Sequence, residues 1–201
     1  MNIVERAKNI ILKPSETWTK IKAEEVSISD LYKSYVVILA AIPAIAQFIG
    51  NGFIGYSVLG MPFKMGITGA LASAVVSYVL SLVAIYVEAL IADALAPSFG
   101  SQKNITNAFK AVAYSMTPAW VAGVFYILPN LWPLVLIASL YGIYLLYLGL
   151  PLMMDTPKEK ALGYVIVVVV VTFIINFAIG AIVGAIFTPM PMGGPIGGMI
   201  E

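Results

Sequence analysis

From Ala111 to Met154 the chain reads AVAYSMTPAWVAGVFYILPNLWPLVLIASLYGIYLLYLGLPLMM, 44 consecutive residues without an Asp, Glu, Lys or Arg. One helix of that length would reach about 66 Å at about 1.5 Å per residue, roughly twice the apolar thickness of a bilayer. Leu128-Pro129-Asn130-Leu131-Trp132-Pro133 punctuates the middle, so the stretch divides into two spans joined by a tight turn. The chain is therefore expected to be a polytopic, all-α membrane protein.

Composition agrees. Of 201 residues, 61% are hydrophobic and 10% charged, and the mean hydropathy is +0.97, beyond what a soluble core can hold. The net charge of +1 and the scattered Lys and Arg give no footprint for nucleic acid. With no Cys and no His, disulfides, thiolate nucleophiles and imidazole metal sites are excluded. Glu5, Arg6 and Lys8 interrupt the first apolar positions, so no cleavable signal peptide is expected.

Five transmembrane helices fit at about 32–54, 66–96, 110–128, 132–153 and 161–188, within a domain covering 31–188. Ser27-Ile28-Ser29-Asp30 reads as a capping box before the first. Thr156-Pro157-Lys158-Glu159 reads as a cap, an N1 proline and an N3 glutamate before the fifth. Arg6, Lys8, Lys13, Lys20, Lys22, Lys33, Lys103, Lys110, Lys158 and Lys160 fall on one side and Lys64 alone on the other. That asymmetry predicts a cytosolic N-terminus and a C-terminus outside.

Residues 1–30 are expected to form a cytosolic amphipathic segment lying in the interface. Ile3, Val4, Ala7, Ile10 and Ile11 make its apolar face, and Glu5, Arg6, Lys8 and Asn9 its polar one. Pro14 ends this helix, and a second can present Trp18 and Ile21 inward while Lys20 and Lys22 reach anionic headgroups. Residues 189–201, rich in Pro, Gly and Met, read as a flexible tail.

Polar residues within the spans supply the candidate site. Gly69, Ser73, Ser77 and Ser81 put a small residue at every fourth position of span two, and Thr172, Asn176, Gly180, Gly184 and Thr188 do the same in span five. Such stripes let helices approach closely, so these two spans are expected to touch along them. Glu88 falls within about 20° of the span-two stripe and about 12 Å below the cytosolic boundary. Pro118 and Tyr144 reach the same level, which offers Ser115, Thr117 and the Tyr144 hydroxyl as partners for the carboxyl group. Gln47 and Asn176 lie deeper, near about 20 Å. Asp93 sits at the inner end, within reach of water or Lys103. An acidic residue inside a span is a functional candidate, although a protonated, hydrogen-bonded Glu88 is equally a structural residue. No phosphate loop, metal-ligand cluster or nucleophile–base pair is present, so no cofactor and no enzymatic activity are expected.

Three stretches then carry a likeness. Lys13-Pro14-Ser15-Glu16-Thr17-Trp18-Thr19-Lys20-Ile21 precedes the spans, Ala113-Tyr114-Ser115-Met116-Thr117-Pro118 enters the third, and Leu148-Gly149-Leu150-Pro151-Leu152-Met153-Met154-Asp155-Thr156-Pro157-Lys158-Glu159-Lys160-Ala161 joins the last two. In their order and spacing the chain resembles the Yip-domain family, the Ypt- and Rab-interacting membrane proteins and their prokaryotic relatives. The resemblance implies five spans with a cytosolic N-terminus. Eukaryotic relatives carry a longer, acidic N-terminal region, whereas the short basic one here is similar to compact prokaryotic members and implies a prokaryotic cell membrane. The expected function is a non-enzymatic scaffold or adaptor, possible as a homo-oligomer, whose cytosolic face binds membrane lipids or a protein partner. The alternative is a cation or small-solute conduit through Glu88, Asn176 and neighbouring hydroxyls.

Overall fold

The structure, a computed structural model, describes residues 2–58, 61–187 and 190–191. Asn2 caps α1 (Ile3–Leu12) by accepting the Val4 N–H at 3.1 Å. Pro14, at the first position of α2 (Pro14–Ala23), separates the two helices, because a ring nitrogen there forfeits only a hydrogen bond that a helix start lacks anyway. The Ser27 hydroxyl accepts the Asp30 N–H at 3.0 Å and donates to its carboxylate at 2.7 Å, which starts α3 (Ile28–Ile54) as the capping box predicts.

Among the described residues, four helices are long and apolar enough to cross a membrane: α3, α4 (Ile67–Leu95, extended by a 3-10 turn to Phe99), α7 (Trp132–Met153, preceded by a 3-10 turn from Pro129) and α8 (Lys158–Ile186). The expected third span, 110–128, is a broken segment instead. It runs as α5 (Ile105–Ser115), then α6 (Thr117–Ala122), then the 3-10 turn Gly123–Ile127. Pro118 has no N–H for the Tyr114 carbonyl, which accepts the Thr117 hydroxyl at 2.7 Å instead. Beyond the break, the backbone passes so near α3 that a Cβ on Gly123 would fall 2.6 Å from Pro43 Cβ. The segment still traverses the bundle, from Lys110 beside α2 to Tyr126 beside Gly50 at the far end of α3.

The two ends of the bundle differ. One carries α1, α2 and the 154–157 turn, where Lys22 pairs with Asp155 and donates to the Leu152 carbonyl at 2.8 Å. Thr156 departs from expectation here, since its hydroxyl accepts from Ser101 at 2.7 Å and Pro157, not Thr156, occupies the N-cap of α8. At the other end β1 (Tyr56–Val58) and β2 (Met61–Lys64) form an antiparallel hairpin, and β3 (Met190–Pro191) adds to it through Phe63 and Lys64. The expected flexible tail thus contributes a short strand; its remainder, and Thr188, lie outside the described residues.

A single core cluster links the N-terminal helices to the spans. Ile10, Trp18 and Ile21 belong to the same buried set as Leu39, Ala89, Leu145 and Val168. Trp18 and Ile21 point inward as expected, whereas the apolar face of α1 was expected to rest in the membrane interface; all three side chains are 0% exposed and buried in protein. Val4 and Leu12 keep an apolar outer surface on α1. Away from the core, α8 is nearly bare: Tyr164, Val165 and Val168 are its buried residues, while Phe173 and Phe177 are fully outward. Apolar side chains all round a helix suit lipid as the solvent.

Candidate functional site

Helix α2 meets the end of α5 and the last turns of α7. The Trp18 indole packs edge-on to Tyr114 at 6.2 Å and against Gly149. Each of the three stretches behind the family likeness supplies one of these residues.

Charges fasten the same place. Arg6 donates from Nη2 to both oxygens of Glu24, at 2.5 and 2.6 Å, and its guanidinium lies 5.6 Å from the centre of the Tyr114 ring. Lys110 donates to the carbonyls of Glu24 at 2.5 Å and Ile21 at 3.3 Å. Those carbonyls end α2, where a helix is short of donors and its dipole favours a cation. Sequence periodicity put Arg6 on the polar face with Lys8, and Lys110 counted among the cations of the cytosolic side; both are buried, 7% and 4% exposed. Arg6, Glu24 and Lys110 are the residues sequence reasoning missed. A basic residue closing a helix C-terminus across 86 positions leaves no local pattern.

The expected intramembrane site divides in two. Glu88 is 2% exposed, and its oxygens accept the Thr172 hydroxyl at 3.1 Å and the Asn176 amide at 3.2 Å. The residues placed around it bond elsewhere. Ser115 donates to Ala111 at 2.7 Å, and Thr117 joins Tyr35 at 2.8 Å. Tyr144 is 47% exposed and packs on Tyr141. Gln47 is half-buried on α3, and Asp93 makes no ion pair with Lys103 among the described residues. Helical rise orders these residues by depth, but it does not say on which side of a neighbour each one faces.

Helices α4 and α8 do meet, through Glu88 with Thr172 and Asn176 and through the Tyr164 hydroxyl on the Ala92 carbonyl at 2.5 Å. The close approach expected along the small-residue stripes is confined to part of them. Ser73 is buried and Ser77 and Ser81 are half-buried, but a Cβ at Gly69, Gly180 or Gly184 would meet nothing within 4 Å among the described residues. A small residue permits close approach without causing it, and the polar clamp sits nearer the N-terminal end of the bundle. Among the described residues no group of three or more Asp, Glu, His or Cys is placed to hold a metal.

An all-α bundle of apolar helices, fastened at one end by an N-terminal hairpin, defines a polytopic integral membrane protein. The chain belongs to the Yip1 domain family, whose model matches residues 8–180. It is similar to the inner membrane protein YohC of Escherichia coli strain K12, 29% identical over 155 residues that cover 75% of this chain and 80% of the relative. The protein of the same name in Escherichia coli O6:H1 is 29% identical over the same span. No solved structure gives a significant match.

Proposed function

We propose that this Yip1 family protein is a non-enzymatic membrane scaffold or adaptor, whose docking face is the end of the bundle built from α1, α2 and the 154–157 turn. The location named for YohC, an inner membrane, supports a prokaryotic cell membrane. The basic asymmetry supports a cytosolic docking face and a C-terminus outside.

The burial of Glu88 between two helices carries the reading. A cation pathway needs a carboxylate that meets water; here the carboxyl group is covered by protein and held by Thr172 and Asn176 on the adjacent helix. Such an acid joins two helices without conducting anything. Proteoliposomes loaded with a pH-, Na+- or K+-sensitive dye test the choice. The scaffold predicts flux at the level of protein-free liposomes for the wild type. Flux above that level, abolished by Glu88→Gln, would establish the conduit instead.

A further inference from the structure

Between α1, the 24–27 linker, the first turns of α3 and the end of α5 lies a cavity of about 290 Å³, lined by Arg6, Glu24, Ser34, Tyr35 and Tyr114 among others. We infer that this cavity binds the phosphate group of a phospholipid through the Arg6 guanidinium, which rests on the proposed role of this end of the bundle as a docking face.

Arg6 supplies the first ground. Its Nη2 is held by Glu24, but its Nη1 is buried with no hydrogen-bond partner among the described residues, and the residue as a whole is 93% buried, being 7% exposed. A buried donor without an acceptor costs about 1–3 kcal/mol, more when charged, and the remaining arm of the guanidinium can make one charge-assisted hydrogen bond to a phosphate oxygen. Ordered water is the other guest such a donor accepts.

Charge supplies the second. Glu24 neutralises Arg6 at the cavity wall, and Lys110, which does not line the cavity but donates to the Glu24 carbonyl, leaves these three groups with one net positive charge. Glu25, next in the chain, is exposed to solvent, where water and salt weaken its field. The volume equals roughly ten waters at about 30 Å³ each, room for a phosphate and the start of its glycerol.

Surroundings choose the source of the phosphate. Ser34 is exposed at the cavity in the first turns of α3, behind the exposed Lys33. Val4 follows the lining residue Ile3 and is 70% exposed, and Val37 and Ile38 stand exposed one turn beyond Ser34. Free phosphate has no use for apolar flanks, whereas acyl chains do.

The test uses the full chain in phosphate-free maltoside micelles, with binding read by native mass spectrometry and thermal shift. Dioctanoyl phosphatidylglycerol, dioctanoylglycerol and inorganic phosphate are the probes. The wild type is expected to bind the phospholipid about tenfold or more tighter than dioctanoylglycerol, and to bind inorganic phosphate weakly, as one charge-assisted contact plus chain burial predicts. Arg6→Lys keeps the charge opposite Glu24 but removes the second donor arm, and should lose about tenfold in phospholipid affinity. Tyr114→Phe keeps the ring beneath the guanidinium and serves as the second variant, with an expected loss of about threefold. Equal binding of phospholipid and dioctanoylglycerol would overturn the site and leave water as the guest. Phospholipid binding that both variants retain would overturn this site while the docking face stands. Inorganic phosphate binding as tightly as the phospholipid would overturn the lipid as its source.

Discussion

Trp18 and Gly149 lie so close that a Cβ on the glycine would sit 2.4 Å from two carbons of the indole. The indole is 0% exposed, so an element far upstream in the chain fills a notch that only glycine leaves open. This contact turns a segment that reads as a surface anchor into part of the core.

Gly149→Ala should therefore destabilise the protein by about 1–3 kcal/mol, since a methyl group has no room unless the indole moves. Trp18→Ala should cost about 3–5 kcal/mol. Thermal unfolding in micelles checks both, with Gly180→Ala as the control expected to change little, because a Cβ there meets nothing within 4 Å.

The Glu88 clamp makes a second expectation. Glu88→Gln keeps a group that accepts from Thr172, and should stay within about 1 kcal/mol of the wild type. Glu88→Leu leaves two donors without their acceptor and should be worse by about 1–3 kcal/mol. Parallel melts of the two variants separate hydrogen bonding from volume.

The extent of the spans was legible because lipid imposes a length: α3, α4, α7 and α8 end within a few residues of the boundaries drawn from apolar runs and caps. Order of partners was not legible. Glu88 reaches Thr172 and Asn176 on α8, not Thr117 on α6, because rotation about a helix axis is set by packing that an all-round apolar sequence does not encode. The break before Pro118 was not legible in the apolar run of 110–128: neither the Thr117 hydroxyl on the Tyr114 carbonyl nor the tightening into a 3-10 turn at Gly123 leaves a mark in hydropathy.

Side of the membrane is open to a direct check, since the chain has no native Cys. Lys103→Cys and Lys64→Cys should label from opposite sides in intact cells, Lys64→Cys being the accessible one, if the basic asymmetry sets the orientation. Equal labelling from outside would contradict the five-crossing path.

Helices α1 and α2 are docked in the bundle, not floating on lipid, and Trp18 reports this most directly. In a variant carrying Trp120→Phe and Trp132→Phe, Trp18 remains as the single tryptophan, and its emission is read in bilayers of brominated phospholipid. Docking predicts emission nearly unchanged by the bromines, against strong quenching of a companion variant that keeps only Trp132, which is 56% exposed. Quenching of Trp18 as strong as that of Trp132 would mean that the indole lies in lipid, and would contradict the docked module.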